Sequence, residues 1–125
     1  MPFIRITLCP GRPQVHGAIA SETTRLMADI LGKKAALTAV LVEDSVGTWT
    51  IGGMAGQACA VHMEAIITAG TNSDGQKAAF IAQAMEMLRR HCGALPEASY
   101  VVVREVVAEN WGYDGRTQAS RRSPF

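Results

Sequence analysis

Three residues in the first half of this chain have the types and spacing to do chemistry. Pro2 follows Met1, so removal of the methionine would give it a secondary amine, which is a base and nucleophile held in one ring geometry. The amine must be neutral to act as a base, and burial or a nearby cation lowers its pKa toward the working pH. Arg12 would supply such a cation, and its planar fork can bind a carboxylate through two hydrogen bonds. Trp49 could wall a pocket and exclude water.

Each of the three also has a purely structural interpretation. Pro2 can be no more than a small residue after the initiator methionine, and Arg12 can be a solvated arginine at a helix start. Trp49 and Trp111, the two tryptophans of the chain, can serve only to pack the core or an interface. The choice depends on the elements that position these side chains.

The first half of the chain has the pattern of a strand, a helix and a second strand. Residues 3–8 alternate at a period of two and include β-branched side chains, which predicts a strand. A turn follows at 10–13, and apolar residues at helical spacing predict a helix over 14–31 with Gly32 as its C-terminal cap. A second extended run covers 37–43. Because such a connection forms a right-handed crossover, the two strands should lie parallel in one sheet.

The second half repeats this order. Residues 58–69 are strand-like, and Ser73 and Gln76 have the spacing of a capping box at the start of a helix over 74–92. A valine-rich strand over 100–107 completes the repeat. The residues expected on the buried face of this second helix are Ile81, Ala84, Leu88 and Cys92.

The two halves read as an internal duplication. An offset of 62 residues superposes the two tryptophans, and it places Ile81 where the first helix has Ile19. Two such units predict an α+β fold in which tandem β-α-β units form a four-stranded mixed sheet with both helices on one face. The other face of the sheet would be apolar and bare. We expect a single domain over 1–125, with a first unit at 1–56 and a second unit with a C-terminal tail at 57–125.

Composition excludes several classes of protein. Hydrophobic residues make up 48% and charged residues 18% of the chain, which excludes disorder and predicts an oligomer that covers the surplus apolar surface. A net charge of +1 is too small for nonspecific binding to nucleic acid or an anionic membrane. The three cysteines lack metal-ligand spacing and are interpreted as free thiols. No apolar run is long enough for a signal peptide or a membrane span, so a cytoplasmic location is expected.

The start and the turns of the chain resemble the 4-oxalocrotonate tautomerase family, as two fused family units. The resemblance rests on a Met-Pro start, a Gly-Arg pair at the strand-to-helix turn, and an aromatic residue before a Gly-rich turn. These are Pro2, Gly11, Arg12, Trp49 and Gly52-Gly53. The resemblance implies a homotrimer with active sites at its interfaces and no metal or organic cofactor. It implies keto-enol tautomerisation of a small 2-oxo acid, with Pro2 as the catalytic base and with Arg12 and Trp49 at the substrate.

Two positions depart from the family pattern. The single-unit enzyme has a second arginine on its second strand, where this chain has Thr38 and, in the second unit, Tyr100. Arg104 lies further along that strand with the same parity, so it is a candidate for substrate binding from a neighbouring unit. A paired strand arginine is an equal alternative. Glu64 occupies the place of Pro2 within a continuous strand, so one catalytic centre per chain is expected.

Other functions stay open at this point. His62 and Glu64 lie on one face of their strand and could form an acid/base pair, although a hydrogen-bonded histidine is the commoner outcome. Relatives that decarboxylate malonate semialdehyde or hydrolyse haloacrylates carry arginines where this chain has Gly70, Thr71 and Asn72, which disfavours those activities. A catalytically silent oligomeric binding protein is the remaining alternative.

Overall fold

Four strands and two long helices form the body of the molecule. The structure is a computed structural model that describes residues 1–56 and 59–122. The elements are β1 Phe3–Cys9, α1 His16–Leu31, β2 Ala39–Asp44, β3 Ala60–Thr68, α2 Asp74–Cys92, β4 Tyr100–Val106, and a hairpin of β5 Gly112–Tyr113 with β6 Arg116–Thr117.

The sheet has the predicted mixed topology. Its strand order is β2-β1-β3-β4, with β1 parallel to β2, β3 parallel to β4, and β1 antiparallel to β3. The second strand begins two residues later than predicted because Ala35–Leu37 forms a single 3₁₀ turn. The predicted strand start at Ala58 and the expected start of the second unit at 57 lie outside the described residues. The division into two units otherwise stays a prediction.

Helix α2 spans the predicted residues 74–92, whereas α1 ends at the predicted Leu31 but begins at His16, two residues later than predicted, because Pro13–Val15 forms a 3₁₀ turn. Gly32 caps α1 in the left-handed conformation, with a φ of 69°, which glycine adopts without steric cost. The predicted capping box of α2 is present, since Ser73 accepts from the backbone of Gln76 and the side chain of Gln76 accepts from the backbone of Ser73. Neither helix in the described part of the chain is long and apolar enough to cross a membrane.

The core lies between the helices and one face of the sheet, and it corrects the predicted repeat offset. Phe80 is fully buried, whereas Ile81, predicted on the buried face, is 39% exposed. An offset of 61, and not 62, superposes the buried side chains of the helices, since one extra residue turns a helix by about 100°. The buried residues are Ile19, Thr23, Leu26, Met27 and Leu31 in α1, and Phe80, Ala84, Met87, Leu88 and Cys92 in α2.

The face of the sheet that the helices leave uncovered is not the purely apolar surface that was predicted. Glu43 of β2 accepts a hydrogen bond from Arg5 of β1 at 2.6 Å, and Arg5 lies opposite Glu64 of β3. Glu64 in turn accepts from Arg104 of β4 at 3.0 Å. A diagonal row of alternating charges therefore crosses all four strands. Exposed apolar side chains flank this row, among them Phe3, Leu41 and Tyr100.

Candidate active site

Pro2 is buried at the start of β1, where backbone and side-chain hydrogen bonds fix the amino-terminal segment. The carbonyl of Pro2 accepts from the backbone N–H of Ala39 at 3.3 Å. The carbonyl of Met1 accepts from Nε2 of Gln118 at 3.2 Å. The terminus is therefore held from two sides, by β2 of its own unit and by the C-terminal segment of the second unit.

A cavity of about 220 Å³ opens beside this terminus. Two lysines, Lys33 and Lys34, line this cavity. They directly follow Gly32, whose left-handed conformation ends α1 and redirects the chain toward β2. Tyr113 reaches the cavity from the β5–β6 hairpin. A side chain at Gly112 would overlap the backbone of Arg116, so the hairpin needs glycine at that position. The lining residues are Met1, Gly32, Lys33, Lys34, Leu37 and Tyr113; we call this space the Pro2 cavity.

The electrostatics of the Pro2 cavity favour a neutral amine and a bound anion. Burial lowers the pKa of the terminal amine, here that of Met1, and the charges of Lys33 and then Lys34 lower it further. Burial also lowers the pKa of Lys33, whose Nζ donates to Oγ1 of Thr71 at 2.8 Å. A carboxylate placed here would meet two cations beside a base.

Arg12 lies at the opposite end of β1 from Pro2. Seven residues of strand separate the two positions, a length of about 23 Å at about 3.3 Å per residue. The backbone N–H of Arg12 donates to Oδ1 of Asp44 at 2.9 Å, and Nε2 of His16 is 2.8 Å from the same oxygen. The hydrogen bond with His16 and then that with Arg12 lower the pKa of Asp44. Within one chain, Arg12 therefore precedes the 3₁₀ turn that leads into α1 and does not reach Pro2.

Trp49 and Arg104 also lie away from the Pro2 cavity of their own chain. Trp49 lines a cavity of about 410 Å³ on the uncovered face of the sheet, together with Arg5, Thr7, Ser45, His62 and Glu64. Arg104 is paired with Glu64, as the structural alternative for it allowed. His62 forms no acid/base pair with Glu64, and its Nε2 is buried without a hydrogen-bond partner among residues 1–56 and 59–122.

The structure thus brings Lys33, Lys34 and Tyr113 to the cavity beside Met1, the residue before Pro2; the sequence analysis had not selected these three residues. The signal for the two lysines was the Gly-Lys-Lys sequence directly after the first helix. Since β1 and β2 are parallel, the end of α1 must return to the level of the start of β1. Tyr113 had no comparable signal, because the hairpin that carries it belongs to the other unit.

Comparison with known proteins agrees with this fold. The family model described as tautomerase enzyme matches residues 65–120. Among solved structures, a macrophage migration inhibitory factor-like protein from Entamoeba histolytica is 24% identical, with a TM-score of 0.77 over 93% of this chain and 97% of that chain. A fused 4-OT described as a symmetric trimer is 17% identical, with a TM-score of 0.83 over 96% and 99%. The chain thus resembles the tautomerase superfamily, in sequence over residues 65–120 and in fold over almost its whole length.

Further similarities do not single out one activity within the tautomerase superfamily. A member of the cis-3-chloroacrylic acid dehalogenase family is 22% identical, with a TM-score of 0.80 over 92% of this chain and 82% of that chain. No curated protein sequence matches this chain significantly. The comparisons therefore establish the tautomerase-like fold, and the activity has to be argued from the site.

Within this tautomerase-superfamily fold, the second unit has a different residue at the place of Pro2 from the one predicted. Ile4 pairs with Val40 in the first unit, and Met63 pairs with Val101 in the second. Val101 is the counterpart of Val40 at the offset of 61, so their strand partners Met63 and Ile4 are also counterparts. Two residues before Ile4 lies Pro2, and two residues before Met63 lies Val61. Val61, and not Glu64, therefore occupies the position of Pro2 in the second unit. Val61 is inside a continuous strand, so the second unit cannot provide a terminal amine.

Proposed function

We propose that this chain is a tautomerase in which Pro2, after removal of Met1, is the general base for keto-enol interconversion of a small 2-oxo acid. The observation that carries the proposal is the position of the chain start, where the Met1 amine next to Pro2 borders a cavity with two lysines, and where burial and the lysine charges lower the pKa of that amine. A secondary amine in this place would be neutral at lower pH than in water, and the lysines would attract the carboxylate of the substrate.

The reaction needs only groups of the protein. The nitrogen of Pro2 takes the proton of the enol hydroxyl, and the oxygen's electron pair forms the carbonyl while the C=C pair becomes available to carbon. The ammonium of Pro2 then returns the same proton to that carbon, so no proton or electron is gained or lost. Lys33 and Lys34 stabilise the negative charge that develops on the enolate oxygen, and they hold the neighbouring carboxylate.

We propose a closed trimer in which a neighbouring chain completes each site with Arg12, Trp49 and Arg104. Each of these residues lies away from its own Pro2, so only another copy can bring them to it. The uncovered sheet face, with its exposed Phe3 and Leu41, would be covered in such an assembly. Light scattering should give three times 13.3 kDa, and a stable monomer would contradict both the assembly and the shared site.

Mixed oligomers can tell a residue of the same chain from one of a neighbour. We expect Pro2→Ala chains and Arg12→Ala chains to be inactive when each is assembled alone. When they are mixed equally and reassembled, about a quarter of the wild-type activity should return, since about one site in four then pairs an intact Pro2 with a neighbour's intact Arg12. Pro2→Ala mixed with Lys33→Ala should show no more than half the activity of Lys33→Ala alone, because Pro2 and Lys33 belong to the same chain and no intact site can form. The measurement is ketonisation of phenylenolpyruvate. Equal recovery in both mixtures would contradict this assignment.

The pH dependence of catalysis should report the charge of Lys33. Lys33→Met removes a cation that lowers the pKa of the terminal amine, so the pKa should rise and the acid limb of kcat/KM should move to higher pH. The acid limb should still lie at lower pH than it would for a solvated amine, because burial, the larger cause of the lowered pKa, persists. Lys34→Met is the matched comparison and should move the limb less, since its charge has the smaller effect on the amine. If the acid limb moved in neither variant, the charges of the lysines would have no effect on the pKa of the catalytic base, which would contradict the proposed site.

The activity itself is tested by ketonisation of phenylenolpyruvate and 2-hydroxymuconate. Turnover of malonate semialdehyde or a haloacrylate in place of these substrates would assign another proline-dependent activity of the superfamily. Absence of all these activities would favour the silent oligomeric binding protein. The mass of the intact protein from its native host is the companion measurement, because retained Met1 would make the nitrogen of Pro2 an amide and abolish its basicity.

A further inference from the structure

The loop between β3 and α2, residues 69–73, lies beside the start of the chain. Strands β1 and β3 are antiparallel, and Phe3 is opposite Ile66. The end of β3 at Thr68 is therefore level with the residues that precede β1. The β3–α2 loop that follows lies at the same end of the sheet as the Pro2 cavity.

Two side chains of the β3–α2 loop hold the end of α1. Nδ2 of Asn72 donates to the carbonyl of Leu31, the last residue of α1, at 2.9 Å. Oγ1 of Thr71 donates to the carbonyl of Thr68 at 2.6 Å and accepts from Nζ of Lys33 at 2.8 Å. Because the one proton of this hydroxyl is used on a carbonyl, a lone pair of the oxygen faces the ammonium. A side chain of the second unit thus holds a lysine that lines the Pro2 cavity.

The β3–α2 loop is itself fixed by a carboxylate, through contacts that both units share. Glu105 accepts from the backbone N–H of Gly70 at 3.2 Å and from Nζ of Lys77 at 2.8 Å. At the offset of 61, the counterparts of Glu105 and Lys77 are Asp44 and His16, whose side chains are 2.8 Å apart. A contact that occurs in both units is explained by the fold that they share, so the ion pair of Glu105 does not by itself indicate a role at the Pro2 cavity.

The contact between Thr71 and Lys33 has no equivalent in the duplicated position. The offset of 61 places Ala94 where the first unit has Lys33, and the counterpart of Thr71 is Pro10. These two side chains offer neither an ammonium nor a hydroxyl. The lysine and its acceptor therefore occur together at the end of the sheet that carries Pro2, which indicates a role in the chemistry of that end and not in the fold that both units share.

We propose that Thr71 is a positioning residue for the tautomerase reaction, because its hydroxyl holds the Lys33 ammonium at the Pro2 cavity. This inference rests on the proposed function, in which Lys33 binds the substrate carboxylate and stabilises the enolate. A lysine side chain is flexible and loses conformational freedom when it binds an anion. Thr71 restricts Lys33 before the substrate arrives, so less of that cost falls on binding and catalysis. Burial lowers the pKa of Lys33, and the charge of Glu105 opposes this effect and favours the ammonium form.

A double-mutant cycle tests whether Thr71 acts through Lys33. Thr71→Val keeps the shape of the side chain but removes the hydroxyl, and it should lower kcat/KM for phenylenolpyruvate about threefold to tenfold, the effect of one hydrogen bond. In a chain that already carries Lys33→Ala, Thr71→Val should have no further effect. Thr71→Ser keeps the hydroxyl and should retain the activity. Thr24→Val is the matched control and should leave kcat/KM unchanged, since it removes a threonine hydroxyl that donates to the carbonyl of Ala20 within α1.

A measurement on the unsubstituted protein depends neither on activity nor on a variant that folds. In protein with ¹³C- and ¹⁵N-labelled lysine, the side-chain end of Lys33 should have a higher NMR order parameter than that of the exposed Lys34. Thr71→Val should lower the value for Lys33 to that for Lys34. Equal mobility of the two lysines in the unsubstituted protein would overturn the proposal.

The outcomes separate the role of Thr71 from the proposed function. An equal loss of kcat/KM with and without Lys33, or no loss in Thr71→Val, would overturn the role of Thr71 and leave Pro2 as the base. Full activity of Pro2→Ala would instead overturn the proposed function, and with it the catalytic purpose of the contact between Thr71 and Lys33.

Discussion

Replacing Pro2 by alanine is expected to lower kcat/KM for the ketonisation of phenylenolpyruvate by about 10²- to 10⁴-fold, the range contributed by a positioned general base. Alanine also presents a terminal amine after Met1 is removed, so the loss comes from the basicity and fixed geometry of the proline ring. The lysines that we propose to bind the carboxylate are untouched, so most of the loss should be in kcat. Steady-state kinetics on both proteins, with Met1 removal verified by mass, provide the measurement.

The Pro2→Ala comparison has a natural control in the terminus itself. A preparation that retains Met1 keeps proline in the sequence but makes its nitrogen an amide, so it should be at least as inactive as Pro2→Ala. Trimer content should be equal in all three proteins, as measured by light scattering. Full activity of Pro2→Ala, or of the protein that retains Met1, would remove Pro2 from the mechanism and leave the lysines as an anion-binding site.

Phe80→Ala is expected to destabilise the fold by about 3 to 5 kcal/mol, the cost of deleting a fully buried aromatic ring and leaving a cavity. Phe80 is 0% exposed between α2 and the sheet. Ile81→Ala is the matched control on the next residue of the same helix. Because Ile81 is 39% exposed, its loss should be about 1 kcal/mol or less. Urea unfolding measures both variants at one protein concentration, since dissociation of an oligomer would otherwise enter the free energy of unfolding.

The Phe80 and Ile81 pair also decides the register of the duplication. At an offset of 61, Phe80 is the counterpart of the buried Ile19, whereas at 62 that place belongs to Ile81. Equal destabilisation by the two substitutions would remove the support for an offset of 61 between the two helices and would contradict the core described above.

The sequence by itself was sufficient for the order of the elements, the parallel pairs and the mixed sheet. The helix over 74–92 and its cap at Ser73 could be predicted because a capping box and the residues that follow it act within a few positions of one another. The sequence also revealed the duplication, since the two tryptophans follow the second strand of each half and remain recognisable as a pair even when the alignment of the halves is wrong by one residue. It missed the offset by one residue, because Phe80 and Ile81 are both apolar and only packing tells which of them is buried.

The tertiary structure alone decided which side chains line the cavity at the chain start, beside Met1 and Pro2. Lys33 and Tyr113 reach the Pro2 cavity because α1 returns beside β1 and because the antiparallel β1–β3 pair brings the C-terminal hairpin of the second unit to the start of the first. Arg12, selected from the sequence for its charge and spacing, lies a full strand away in the same chain. Sequence spacing fixes distances along an element, whereas proximity between elements depends on the direction in which the strands pair.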